Sequence, residues 1–132
     1  MGLKLNIKPG ERFYVGTGAV TVISDHIVSV IVDGDAPVLR AEDHVDAGEA
    51  TTPIAALRYT IQQMYLTGDT TALHGRYFQQ AQTLWTEHPE LQTILTQLNG
   101  LLVQGQSYKA IRLAKTLGDI RARPTSLRLV EG

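Results

Sequence analysis

The apolar residues of this 132-residue chain change period once, near Gly48, and no other feature restricts the fold as strongly. Ahead of that point Leu3, Leu5 and Ile7 alternate with Lys4, Asn6 and Lys8, the period of two of a half-buried strand. Pro9-Gly10 supplies a turn, because proline presets one φ and glycine accepts a positive φ next to it. Short apolar or β-branched runs follow at 12–15, 19–23, 27–32 and 36–40. Gly16-Thr17-Gly18, Ser24-Asp25-His26 and Asp33-Gly34-Asp35 separate them. The expectation is a small antiparallel meander or barrel of about five strands, with 19–23 and 27–32 joined as a hairpin.

Past Gly48 the period becomes helical. Thr52 is placed to cap free amides, and Pro53 suits a first helical position, where its missing N–H is not needed. Ile54, Leu57, Ile61, Met64 and Tyr65 then fall on one face. Gly68-Asp69-Thr70 ends that helix and opens a second, striped by Leu73, Tyr77, Ala81, Leu84 and Trp85. His88-Pro89 starts a third with Leu91, Ile94, Leu95, Leu98, Leu101 and Leu102, and Gly105 with Ser107 introduces a fourth that ends near Gly118. The fold class is therefore α+β, a small antiparallel β lobe followed by a four-helix α lobe. The expected boundaries are 1–46 for the β lobe, 47–118 for the helical lobe and 119–132 for a mobile basic tail.

Composition narrows the function. Apolar residues make up 43% of the chain and charged residues 19%, which supports a core and argues against disorder. The absence of cysteine excludes a disulfide framework, a cysteine zinc site and thiol chemistry. The apolar run at 27–32 is far short of the roughly 20 residues of a membrane span, so no membrane association and a cytoplasmic location are expected. His26, His44, His74 and His88 include no pair at the i, i+4 spacing of a helical metal site. Glu42, Asp43, Asp46 and Glu49 lack the spacing of a calcium loop and read as a solvated acidic linker. Gly16-Thr17-Gly18 lacks the helix and the Lys-Ser/Thr pair of a phosphate loop, and Ser24, Ser29, Ser107 and Ser126 sit in no nucleophile elbow. No catalytic residue, metal ligand or cofactor is expected, and the chain does not read as an enzyme.

A net charge of -1 hides a segregation. Between residues 13 and 50 Arg40 alone opposes Asp25, Asp33, Asp35, Glu42, Asp43, Asp46 and Glu49, while both ends are basic. Lys109, Arg112 and Lys115 share the arc of the fourth helix opposite Ala110, Ile111, Ala114 and Leu117. That arc is either a phosphate-contacting face, continued by Arg121, Arg123 and Arg128, or a solvated one. Lys4, Lys8, Arg12 and Arg40 form a second cationic set, with edge-strand protection as the alternative role. Tyr59, Tyr65, Tyr77, Phe78 and Trp85 lie at helical spacing and read as core rather than as base-stacking platforms.

These residues also carry a family resemblance. Leu3-Lys4-Leu5, Lys8-Pro9-Gly10-Glu11-Arg12, Gly18-Ala19-Val20, Asp35-Ala36-Pro37-Val38-Leu39-Arg40 and Ala50-Thr51-Thr52-Pro53 lead the series. With the Arg58-Tyr59 and Met64-Tyr65 pairs they resemble, in order and across about residues 3–118, the FlbT family of flagellin-synthesis repressors in alphaproteobacteria. The resemblance implies post-transcriptional regulation: a repressor of bacterial flagellum biogenesis that associates with the 5′ untranslated region of flagellin mRNA and promotes mRNA degradation. It also implies FlaF and flagellin as protein partners. The opening strands are similar to the carbon-storage regulator CsrA through Gly10-Glu11, Val20-Thr21-Val22 and Ala36-Pro37 before Val38-Leu39-Arg40-Ala41-Glu42. That likeness implies RNA binding by Arg40 and Lys8, with Lys4 and Arg12 beside them.

The implied division places RNA on the β lobe and protein on the helical lobe, where Leu101-Leu102-Val103 is apolar beyond one stripe. The alternative is a chaperone-type module for flagellin or FlaF that acts on RNA only indirectly. A homodimer through unpaired strand edges is compatible with either reading.

Overall fold

A computed structural model describes residues 2–122 of the chain. The chain runs β1 (Leu3–Ile7), β2 (Arg12–Val15), β3 (Gly18–Thr21), β4 (Val28–Val32) and β5 (Val38–Arg40). The helices α1 (Pro53–Thr67), α2 (Thr70–Glu87), α3 (Gln92–Val103) and α4 (Ser107–Ala122) follow. Single 3-10 turns at Ala41–Asp43 and Ala47–Glu49 join the lobes, and another at Pro89–Leu91 leads into α3. The α+β architecture of strands first and helices second is thus observed. The expected basic tail lies outside the described residues beyond Ala122, and α4 runs to Ala122 rather than ending near Gly118.

The strands do not form a meander. β1 pairs antiparallel with β4, and β2 lies between β3 and β5 in a second antiparallel sheet. The hairpin expected between 19–23 and 27–32 is absent: β3 pairs with β2 across Gly16-Thr17, and β4 pairs with β1. Burial explains the choice. Opposite β1, Val28 and Val30 face Ile7 and Leu5, and these side chains share a core with Phe13 and Val38 of the other sheet and with Val22 just past β3. Ile23, which the hairpin would have paired, is 97% exposed.

In the second sheet β3 is exposed, but β2 and β5 are covered on both faces. Phe13 and Val38 point toward β1 and β4, whereas Tyr14 and Leu39 join the helical core around Leu57, Ile61, Leu84, Leu98 and Leu117. Consecutive buried residues such as Val38-Leu39 are the pattern of a strand buried on both sides. Each fully buried aliphatic side chain in this core stabilises by about 1.5–3 kcal/mol.

The helix signals act locally as expected. The Thr52 hydroxyl accepts from the Ala55 amide at 3.1 Å, and Asp69 caps α2 through Ala72 at 3.2 Å. Gly68 ends α1 at φ 74°, a left-handed conformation that costs glycine little. The aromatic stripe divides, however. Tyr77 is buried, while Phe78 and Trp85 stand 45% and 41% exposed on α2, against the expectation that both are core.

Side chains stitch β5 and the segment after it to the helices. The Tyr65 hydroxyl donates to the Val38 carbonyl at 2.9 Å and accepts from its amide at 3.1 Å. Three residues earlier on α1, Gln62 accepts from the Val45 amide at 2.7 Å and donates to its carbonyl at 2.9 Å. Residues three apart share a helix face, so α1 serves this segment in the way a neighbouring strand would. From α4, Arg112 and Lys115 reach Asp43, whose side chain is only 1% exposed. The solvated acidic linker is therefore corrected at Asp43, a buried anion held by two cations.

Candidate nucleic-acid interface

The period-two pattern of β1 buries Leu5 and Ile7 and turns Lys4, Asn6 and Lys8 outward. On β4 the same alternation exposes Ser29 and Ile31. Register pairs Lys4 with Ile31 and Asn6 with Ser29, and Lys8 follows directly on the last paired residue of β1, Ile7. The Ser29 hydroxyl donates to Asn6 Oδ1 at 2.8 Å. The outer face of the β1–β4 ladder thus carries Lys4 beside Ile31, then a hydrogen-bonded polar pair, with exposed Lys8 just past the end of β1. Lys4 and Lys8 stand about 13 Å apart at the rise of an extended strand. The sequence placed the two lysines, but the Asn6–Ser29 rung and Ile31 beside Lys4 emerge only from the register.

Arg40 joins this face from the edge. It pairs with Phe13 on the side of the middle sheet that meets β1 and β4. Its Nη2 donates to the Asn6 carbonyl at 3.3 Å and lies 3.5 Å from Glu11 Oε1. The same carboxylate accepts from the Lys8 amide at 3.3 Å. Glu11 therefore links the Arg40 guanidinium to the backbone of Lys8, with Arg40 partly committed to bracing β1 against β5.

Arg12 points elsewhere. It lies on the Tyr14 side of β2, opposite the side of Arg40, and its Nε donates to Thr21 Oγ1 at 3.1 Å. On that side the Tyr14 and His44 rings stack at 3.6 Å. Burial lowers the His44 pKa below 6.5 and Arg12 adds to the lowering, while Asp46, 3.1 Å from Nδ1, opposes both. The expected set of Lys4, Lys8, Arg12 and Arg40 thus divides into three residues at the ladder and one across the sheet.

The second basic face divides as well. Lys115 Nζ sits 2.7 Å from Asp43, and Arg112 Nη1 is 3.3 and 3.2 Å from its two oxygens. The Asp43 charge raises the Arg112 pKa still further. Lys109 remains exposed, beside an open cleft where the β4–β5, α1–α2 and α3–α4 turns converge. Among the described residues no group of three His, Cys, Asp or Glu is placed to hold a metal ion, and no helix is long and apolar enough to cross a membrane.

On the helical lobe, Phe78 and Trp85 flank a cleft of about 390 Å³ between α2 and α3. The Tyr77 hydroxyl donates across the two helices to Asn99 Oδ1 at 2.6 Å, and burial pushes its pKa up to about 12. Leu101 and Leu102 pack partly against the core, leaving Val103 as the exposed member of that apolar triplet.

These features define a small two-lobed α+β protein with an exposed polar face on its first sheet. The chain belongs to the FlbT family: the model of that family, described as flagellar protein FlbT, matches residues 3–123. It is 31% identical over 118 residues to the probable flagellum biosynthesis repressor protein FlbT 1 of Bradyrhizobium diazoefficiens, covering 89% of this chain and 80% of that relative. A probable flagellum biosynthesis repressor protein FlbT of Rhodopseudomonas palustris is 32% identical over 117 residues, covering 89% of this chain and 92% of the relative. The flagellum biosynthesis repressor protein FlbT of Caulobacter vibrioides is 36% identical over 66 residues, half of this chain and 46% of its own. No solved structure matches the chain. The family is one of regulatory repressors rather than a known family of enzymes.

Proposed function

We propose that this chain represses flagellum biosynthesis after transcription, associating in the cytoplasm with the 5′ untranslated region of flagellin mRNA and promoting its degradation. Repression is what the names of its relatives state. The RNA reading is carried by one observation, the outward ladder of β1 and β4 with Lys4 and Lys8 at its ends and Arg40 at its margin. Lysines about 13 Å apart on an open face suit two phosphates of a single strand. The Asn6–Ser29 pair between them offers donors and acceptors to an unpaired base. No bond need be broken by this protein; host ribonucleases would act on a message held untranslated.

Fluorescence anisotropy on labelled flagellin 5′ untranslated RNA across a salt series tests the proposal. Each of Lys4→Ala and Lys8→Ala is expected to weaken binding and to lower the slope of log affinity against log salt by about 0.7, the single-strand value per phosphate contact. Binding that is absent, or indifferent to both salt and these variants, overturns the reading.

A second reading rests on Phe78 and Trp85, exposed at helical spacing over the α2–α3 cleft. They fit an amphipathic helix laid in a groove, with flagellin or FlaF as the helical partner. Under this reading the RNA effect is indirect. Phe78→Ala with Trp85→Ala would then abolish capture of the partner in a pull-down, while Lys4→Ala and Lys8→Ala would leave it unchanged.

A further inference from the structure

An open cleft of about 710 Å³ lies where three turns converge. Its walls include Asp35 and Pro37 from the β4–β5 turn, Tyr65 from the end of α1, and Ser107, Tyr108 and Lys109 from the start of α4. The Tyr65 and Tyr108 rings meet at a centroid distance of 5.6 Å and a tilt of 48°. Tyr65 is held from behind by both backbone groups of Val38, whereas Tyr108 is 42% exposed and presents its ring. A fixed aromatic wall with an open aromatic edge is a stacking platform.

The cleft also lies on a path from the ladder. β4 runs antiparallel to β1, so Lys4 stands opposite Ile31, near the end of β4 that leads into the cleft, and Lys8 lies near the other end. From Ile31 the chain needs three more residues, at most about 10 Å, to reach Gly34 on the rim. A strand laid from Lys8 to Lys4 is thereby led to the cleft. Asp33 and Asp35 on this route repel phosphate, which keeps the backbone at the lysines and turns a base inward.

We infer that the cleft between the Tyr65–Tyr108 pair and the β4–β5 turn is a pocket for one unstacked cytosine or adenine, recognised by its exocyclic amine. The base stacks on Tyr108, its amine donates to the Asp35 carboxylate, and the adjoining phosphate meets Lys109. A carboxylate accepts from the amine of cytosine or adenine but finds only a carbonyl oxygen at the matching position of uracil. Stacking alone is tolerant of sequence, so the selectivity resides in Asp35. This inference rests on the RNA reading of the ladder and names what that surface selects.

Anisotropy with labelled nine-nucleotide oligo(C), oligo(A) and oligo(U) and the full chain tests it. The expected result is a preference of about tenfold for oligo(C) or oligo(A) over oligo(U), erased by Asp35→Ala. Tyr108→Ala is expected to weaken oligo(C) and oligo(A) about tenfold, and Tyr108→Phe, which keeps the ring, to restore most of that affinity. Binding to the three oligomers that is equal, or unaltered by Tyr108→Ala, overturns the pocket while salt-dependent binding through Lys4 and Lys8 still stands. No binding of any oligomer or of the flagellin leader overturns both readings. Circular dichroism and thermal unfolding of each variant separate a lost pocket from a lost fold.

Discussion

Asp43 lies 2.7 Å from the Lys115 ammonium with its own side chain almost wholly out of water, so the β-to-α connection is closed by an ion pair between groups 72 residues apart. Arg112 adds a second contact to the same carboxylate. The arrangement is unequal, because the anion is buried while the two cations keep 53% and 32% of their side chains exposed.

That inequality sets the outcome of mutation. Asp43→Asn removes the buried charge and frees two cations that already reach solvent. Arg112→Ala with Lys115→Ala instead leaves a buried carboxylate without a partner, the costlier error. The double variant is expected to lower the urea midpoint further than Asp43→Asn does. Equal losses would mean that Asp43 is solvated and that the pair contributes little.

Gln62 and Tyr65 hold the same segment by neutral bonds, and their removal should separate by burial. Gln62→Leu strands the amide and carbonyl of Val45 inside the protein, an expected loss of about 2–4 kcal/mol. Tyr65→Phe frees the two groups of Val38 beside an open cleft, where water replaces the hydroxyl, for about 1–2 kcal/mol. Urea unfolding of both variants checks the order, and a reversal would place water at Val45.

The difference between legible and hidden parts of the fold follows from what each signal depends on. The β1 alternation and the Thr52-Pro53 helix start are local, and both were readable. Strand pairing is not local. The β-branched runs at 19–23 and 27–32 satisfy a hairpin as well as any other partner, and only the shared burial of Val28 and Val30 with Phe13 and Val38 selects β1. Gln62 and Asp43 look like ordinary surface residues until the chain places Val45 and α4 against them. For the candidate interface, Lys4 and Lys8 were visible as outward positions of β1. The separation of Arg12 from Arg40 needed the register of β2, and the cleft needed three turns that no sequence window contains.

His44 gives the protein a pH dependence of definite sign. Burial against Tyr14 lowers its pKa below 6.5, so the folded state takes up the proton less readily than the unfolded chain. As pH falls through 6.5 the unfolded state binds more protons, and stability drops until the folded imidazole also titrates. Above that window the contribution is fully present. His44→Phe preserves a ring on Tyr14 and removes the proton. The loss of stability between about pH 7.5 and about pH 5.5 should therefore be smaller in the variant than in the parent. An identical loss in both would assign the pH dependence to other groups.

Glu11 decides whether Arg40 serves as a brace or a phosphate contact. Its carboxylate accepts from the Lys8 amide and lies within reach of the Arg40 guanidinium, so it holds a negative charge where the ladder would receive RNA. Glu11→Gln keeps the shape and the acceptor oxygen while removing that charge. At low salt the variant is expected to bind flagellin leader RNA about threefold to fivefold more tightly, the worth of one unit charge a few ångströms away in high dielectric. If Arg40 then engages a phosphate, the salt slope steepens by about 0.7, and Arg40→Ala in the Glu11→Gln background removes the gain. If the slope stays unchanged and Arg40→Ala costs stability alone, Arg40 is a brace that ties β5 to the Asn6 carbonyl of β1, and phosphate recognition belongs to Lys4 and Lys8.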